Sequence, residues 1–286
     1  MNDSLTPPDK GIAVALGGGG ARGLAHICVI EAMDELGLAP AAIAGVSIGA
    51  VIGAAWAAGI PGRDIREHVE WLNSHRADAI TRVFRSRATN LNSVFSRGIN
   101  PVLLDGEKLL DQFWPEAVPD RFEDLPISFS CIATDFYARR EAVFSSGPLT
   151  PAVAASMAIP GLIKPVMNEA AVLVDGGAVN PLPYRLLMNR GWSVVACDVT
   201  GGPVESKRAT PAPFEALFGA GQIMQASITR EMLKASQPDI LLRPDVDRFR
   251  VLDFFRARTI LAAAEPVKDD VKRAIAQLMD GARSTP

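Results

Sequence analysis

The feature that most constrains this chain is a pattern used twice near its start: a short apolar run breaks into glycines and resumes as a helix. Residues 11–17 read GIAVALG and pass through three more glycines into a stretch with Leu24, Ile27, Ile30 and Leu36 on one stripe, ending at Gly37. Residues 41–46 read AAIAGV and pass through Ser47, Ile48 and Gly49 into an alanine-rich stretch that ends at Gly59 and Pro61. Apolar runs this short, closed by glycine, are buried strands. The striped stretches, over 22–37 and 48–58, are helices with ordinary stop signals. Strand, turn, helix, twice in succession, predicts an α/β fold: a three-layer α/β/α sandwich with a mainly parallel central sheet.

The rest of the chain continues the alternation. Helices are expected at about 63–74, 105–114 and 151–158, and two long amphipathic ones at 213–236 and 259–279. Strands are expected at 127–135, 171–174, 193–199 and 239–244, and a polar, proline-rich loop at 201–213. Residues 81–100 are the least regular; Arg82, Arg85, Arg87 and Arg97 alternate with Phe84 and Phe95, which suits a headgroup-facing flap or a surface loop. Residues 36–62 carry no charge, long enough to consider a membrane span, but they are mostly Ala and Gly and contain Pro40 and Pro61. A buried strand leading into a buried helix fits them better.

Composition excludes several classes. With 48% hydrophobic and 21% charged residues over 286 positions, the chain is globular and not disordered. A net charge of -3 gives no cationic field for nucleic acid. Cys28, Cys131 and Cys197 are odd in number and widely spaced, so they read as buried thiols, not as a disulfide framework or a metal site. The first ten residues lack the pattern of a secretory leader, so a cytoplasmic protein is expected. Nothing in the sequence sets an oligomeric state.

The first turn, Gly17 to Gly23, places flexible backbone before a helix N-terminus, where free N–H groups can face negative charge. Gly18, Gly20 and Gly23 also fit G-x-G-x-x-G, but no Asp or Glu lies between residues 38 and 49, where a Rossmann-type nucleotide site needs its ribose acid. The second turn, Gly45-Val46-Ser47-Ile48-Gly49, is G-x-S-x-G between a strand and a helix, the context of a nucleophile elbow. Its alternative is a serine that merely caps the helix.

An activated serine needs a base. The three histidines, His26, His68 and His75, all precede residue 76, so the usual late histidine is absent. His26 beside the apolar stripe reads as structural, and His68 and His75 as part of a charged face. Asp175, at the tip of the AVLV run and followed by Gly176 and Gly177, is the candidate for a carboxylate acting directly on Ser47. Its alternative is an ordinary Asp-Gly turn.

Three motifs in order, GGGGARG, GVSIG and DGG, resemble the patatin-like phospholipase family in its bacterial single-domain branch. ASMAIPGLIKPV (155–166) and VDGGAVNPLP (174–183) extend the resemblance, which covers roughly 10–200 as a catalytic core, with 201–286 completing the same domain. Gly17 stands where some members carry Asp. The resemblance implies a lipid acyl hydrolase (phospholipase A, lysophospholipase or acylglycerol lipase) with Ser47 as nucleophile and Asp175 as base. It implies an oxyanion loop of Gly18, Gly19 and Gly20 with Arg22 close by, supported by Gly23, Gly45, Gly49, Gly176 and Gly177. Arg22 either pairs with a lipid phosphate or fixes the loop, and Ser156 and Pro160 support the site. No metal or cofactor is implied. The partner is a lipid or acyl-ester substrate, met in transient contact with a membrane surface. Two other functions stay open on the sequence: a nucleotide-binding Rossmann-type protein, and a regulatory protein with a vestigial hydrolase site.

Overall fold

The computed structural model describes residues 11–86, 103–204 and 210–283. Its centre is one sheet in the order β5-β6-β3-β2-β1-β7-β8, with β4 also on β3. The strands are β1 (Ile12–Leu16), β2 (Ala42–Val46), β3 (Ser128–Asp135), β4 (Arg140–Phe144), β5 (Val166–Asn168), β6 (Ala171–Asp175), β7 (Ser193–Cys197) and β8 (Ile240–Leu242). Pairs β1–β2, β1–β7, β2–β3 and β7–β8 are parallel; β3–β4, β3–β6 and β5–β6 are antiparallel. The sheet is thus mainly parallel.

Side-chain size alternates along the central strands and decides what covers each face. Ile12, Val14 and Leu16 of β1 and Ile43 of β2 join one core. Helices α1 (His26–Glu35), α2 (Ile48–Ala57), α8 (Ala257–Ala264) and α9 (Val267–Arg283) supply its other wall. The intervening Ala13, Ala15, Ala42 and Ala44 form the opposite face. Their small side chains let Leu182, Tyr184 and Leu187, on a short irregular layer, approach closely, with Leu233 of α7 (Pro213–Ala235) beside them.

The register of β3 sets up the site. Val46 of β2 pairs with Ile132, and Asp175 of β6 pairs with Ala133, the next residue along β3. Because β4 pairs with residues 131–135, it occupies the other edge throughout. Strands β2 and β6 therefore lie on the same edge of β3 and run toward each other, tip to tip.

Several expectations change. The run 171–174 is a strand, but antiparallel to both neighbours, not part of the parallel set. The helix expected over 22–37 starts as a tight 3-10 segment, Gly20–Ala25, before α1. The helix expected over 259–279 is two helices, because Pro266 cannot sit inside one. The start of the irregular 81–100 stretch belongs to α4 (Arg76–Arg85), whose Asp78–Arg82 pair, one turn apart, bridges at 2.9 Å. Residues 87–100, with the remainder of the expected flap, lie outside the described residues. The other helices, α3 (Gly62–Ser74), α5 (Gly106–Phe113) and α6 (Leu149–Ser156), fall where expected. Strands β4 and β5 were not foreseen. The three cysteines are free and buried. Among the described residues no helix is long and apolar enough to cross a membrane.

Candidate active site

Ser47 occupies the single residue between β2 and α2 with φ 54° and ψ -124°. A side chain in this left-handed region costs on the order of 1–3 kcal/mol, a strain kept only where surroundings enforce it. The enforcement is steric. A Cβ on Gly49 would lie 2.2 Å from the Leu16 carbonyl oxygen, and one on Gly45 would lie 2.5 Å from that of Gly49. Only bare glycine lets the chain reverse this tightly between β2 and α2 with α2 pressed against β1. The helix-cap alternative fails: the Ser47 side chain makes no capping bond.

Instead, Ser47 Oγ donates to Asp175 Oδ2 at 2.6 Å. The second carboxylate oxygen, Oδ1, accepts from Gly177 N–H at 2.8 Å. The Asp175 backbone is held on both sides: its N–H donates to Ala158 O (2.9 Å), and its carbonyl accepts from Thr134 Oγ1 (2.9 Å). Burial pushes the Asp175 carboxyl up to about 6, with the hydrogen bonds from Ser47 and Gly177 opposing part of the rise. The carboxylate is thus basic enough to take a proton, yet ionised at neutral pH.

None of the histidine rings is turned to this pair. His26 Nε2 is 2.8 Å from Gly17 O, His68 Nε2 is 2.7 Å from Phe113 O, and His75 Nδ1 is 2.9 Å from Trp71 O. His26 is fully buried, and burial lowers its pKa to about 4, so it is a neutral strut under the glycine loop.

The loop lies against the serine: a Cβ added to Gly18 would sit 3.5 Å from Ser47 Cβ. Its N–H groups divide into used and free. Gly18 N–H donates to Pro181 O (3.0 Å) and Ala21 N–H to Val251 O (2.8 Å). Among the described residues, the N–H groups of Gly19 and Gly20 have no partner. Gly20 holds φ 60°, with Val251 O only 2.3 Å from where a Cβ would stand. Arg22 lies elsewhere. It is fully buried, and its Nη1 donates to Gly202 O at 3.1 Å. Burial lowers its pKa, opposed by Asp247 and Asp198. The side chain ties the loop to Gly202 and is buried away from solvent.

The remaining motif glycines serve close packing. Gly23 abuts Ile48, Gly176 abuts Ile132 O, and Gly177 sits beneath Gln225 of α7. Two contributors carry signals too ordinary to detect in sequence: Thr134 looks like any strand threonine, and Ala158 acts through its carbonyl. One group of possible metal ligands occurs among the described residues, Cys28, Glu31 and Glu265, within 4.8 Å of one another. Arg66 and Lys268 already neutralise it, with Arg66 Nη2 2.9 Å from Glu265 and Lys268 Nζ 2.7 Å from Glu31.

The family model for patatin-like phospholipase matches residues 14–188, which include both Ser47 and Asp175. The chain belongs to the patatin-like phospholipase family. A similar relative is an uncharacterised NTE family protein of Mycobacterium tuberculosis, 41% identical over 172 residues, covering 60% of this patatin-like chain and 44% of the relative. Lysophospholipase NTE1 of Coccidioides immitis is 29% identical over 276 residues, covering 86% of this chain and 16% of that one. The patatin-like chain thus spans less than half the length of these curated relatives. Among solved structures, VipD of Legionella pneumophila aligns with a TM-score of 0.48 at 15% identity, covering 93% of this chain and 67% of that chain. ExoU of Pseudomonas aeruginosa, in complex with SpcU, aligns with a TM-score of 0.49 at 14% identity, covering 96% and 53%.

Proposed function

We propose that this protein is a serine esterase that hydrolyses lipid acyl esters, of phospholipase A or lysophospholipase type, through a Ser47–Asp175 dyad. The observation that carries the reading is the 2.6 Å bond from Ser47 Oγ to Asp175 Oδ2 at a left-handed elbow. Family membership and relatives named as lysophospholipases support the lipid class.

The chemistry follows from the groups in place. Asp175 takes the Ser47 proton as Oγ attacks the ester carbonyl. The tetrahedral intermediate carries its negative charge on the former carbonyl oxygen, where the free N–H groups of Gly19 and Gly20 stabilise it. Collapse breaks the C–O bond; the leaving alkoxide takes the proton from Asp175 and departs as lysolipid or glycerol derivative. Water, deprotonated by Asp175, then attacks the acyl-serine; the acyl–oxygen bond breaks, Ser47 Oγ takes the proton back from Asp175, and the fatty acid is released. No metal enters any step. On this reading residues 201–286 complete the same domain: they add β8 to the sheet and bring Val251 O onto the glycine loop. The substrate is met at a membrane surface, where lipid esters reside, by peripheral contact.

The test is covalent labelling by a fluorophosphonate probe, with fatty-acid release from phospholipid and lysophospholipid vesicles measured alongside. Wild type should label and release fatty acid, and Ser47→Ala should do neither. A Ser47→Ala variant that hydrolyses lipid at the wild-type rate would reject the dyad.

A further inference from the structure

We propose that Ser156 is a positioning residue for the nucleophile: its hydroxyl bridges the end of β2 to β3 and holds the elbow in its reactive shape. The proposal rests on the dyad reading and adds to it a residue that touches neither substrate nor the reacting oxygen.

Ser156 is the last residue of α6 and is fully buried. Its Oγ accepts from Ser47 N–H at 2.9 Å and donates to Ile132 O at 2.6 Å. A serine hydroxyl has one proton and two lone pairs, so both roles can be filled at once and in one orientation. The place of this bridge matters. The parallel ladder between β2 and β3 ends at Val46 opposite Ile132. One residue further, where the backbone takes φ 54°, Ser47 N–H donates to the Ser156 hydroxyl and not to a β3 carbonyl. The hydroxyl stands between that N–H and the Ile132 carbonyl, in place of the ladder bond that a continuing strand would make. It satisfies both groups without requiring the strand to continue.

Removing the hydroxyl strands a buried donor and a buried acceptor, in a spot closed to water. The simplest relief is for Ser47 to settle back toward Ile132, which relaxes φ and draws Oγ away from Asp175. The same segment also registers the base. Two residues after Ser156, Ala158 O accepts Asp175 N–H at 2.9 Å. The end of α6 thus grips the nucleophile and the base by their backbone amides. Leu149 and Val153, both fully buried, anchor the helix behind it. A residue that only filled space would need no hydroxyl here.

The experiment measures fluorophosphonate labelling rate and steady-state hydrolysis of a soluble short-chain ester across pH. Ser47→Ala, Ser156→Ala, Ser156→Cys and a control, Val271→Ala, are compared with wild type. Val271 is buried on α9, which packs against α1 and makes no contact with the dyad. A misplacement of about 1 Å in a reacting group can cost about 100-fold in rate. Ser156→Ala should therefore slow labelling and kcat together by about 30- to 300-fold, with KM changed by less than about twofold. The acid limb of its pH profile should move up from about 6, because the hydrogen bond from Ser47, which opposes part of the rise caused by burial, is weakened. Ser156→Cys keeps nearly the same volume with a weaker bridge and should fall between. Val271→Ala should lower the melting temperature and leave the labelling rate alone. Wild-type labelling by Ser156→Ala, or slowing no greater than in Val271→Ala, would overturn the proposal. If Ser156→Ala does not fold, Ser156→Cys decides: a wild-type rate overturns the proposal and a reduced one supports it. Residual hydrolysis by Ser47→Ala at the wild-type rate would instead sink the dyad, whatever Ser156 does.

Discussion

Two buried carboxylates, Asp175 and Glu31, are treated in opposite ways, and the contrast separates what this fold needs for chemistry from what it needs for stability. Glu31 on α1 is 7% exposed and meets Arg66 Nε at 2.5 Å and Lys268 Nζ at 2.7 Å. Burial pushes its pKa up, but the two cations outweigh burial and hold it below the ordinary glutamate value. Around it, Glu265 and Glu35 complete a network that ties α1 to α3 and α9. Asp175 is 6% exposed and, among the described residues, has no cation beside it, only a serine hydroxyl and a backbone N–H. Its charge stays uncompensated, and that is why it is basic.

The largest way to break this contrast is to remove the uncompensated charge. Asp175→Asn should lower activity by about 10⁴-fold or more, the scale seen when a base acting with its nucleophile is lost. It should also raise the melting temperature at pH 8. A carboxyl raised from 3.8 to about 6 contributes stability that is present below pH 3.8 and lost as pH rises through about 6. At neutral pH and above the loss approaches about 3 kcal/mol, which the neutral amide recovers in part. Differential scanning fluorimetry checks this, and a lower melting temperature for Asp175→Asn would contradict it.

Next in size is Glu31→Gln. Breaking a buried ion pair costs about 3–5 kcal/mol, but Arg66 and Lys268 keep Glu265, so a loss of about 2–3 kcal/mol is expected. Urea titration at pH 7 measures it, and activity per folded molecule should not change. Since Glu31 is held below its ordinary value, its contribution is present above pH 4.5 and lost below, so the gap to wild type should close in acid.

The pH profile sharpens the comparison further. A base near 6 predicts kcat/KM falling about tenfold between pH 7 and pH 5 on a soluble ester. A profile flat down to pH 4.5 would mean that Asp175 is not the group titrating. The smallest effect belongs to the rim of the network. Lys272 and Glu35 are 38% and 45% exposed, so Lys272→Ala should cost less than about 1 kcal/mol, and 0.5 M salt should mask most of it.

How much of this could be read from residues alone depends on whether each element announces itself locally. Strands β1 and β2 do, because short apolar runs ending in glycine have few other uses. Strand β4 does not: REAVF is largely exposed and polar at one end, and it pairs with the edge of β3 that β2 and β6 leave open. Strand β5 is only three residues long. Ser47 and Asp175 were each legible from their flanking glycines, but their meeting depends on β6 running antiparallel to β3, a long-range fact with no local signature. The division of the glycine loop into used and free N–H groups also depends on distant carbonyls, those of Pro181 and Val251. Arg22 shows the same limit in reverse: an arginine beside a candidate anion loop suggests phosphate, and only tertiary structure shows it buried against Gly202.

The head-on meeting of β2 and β6 along one edge of β3 sets when the proposed dyad can assemble. Ser47 and Asp175 are 128 residues apart in sequence. As the chain emerges during synthesis, the Ser47 turn is made well before Ser156 and Asp175 exist, and β3 holds an open half-edge until β6 arrives. Contacts this distant form late, because a long loop must close first. On the proposed dyad, a half-made chain therefore has its serine without its proton acceptor while its own apolar surface is still unburied.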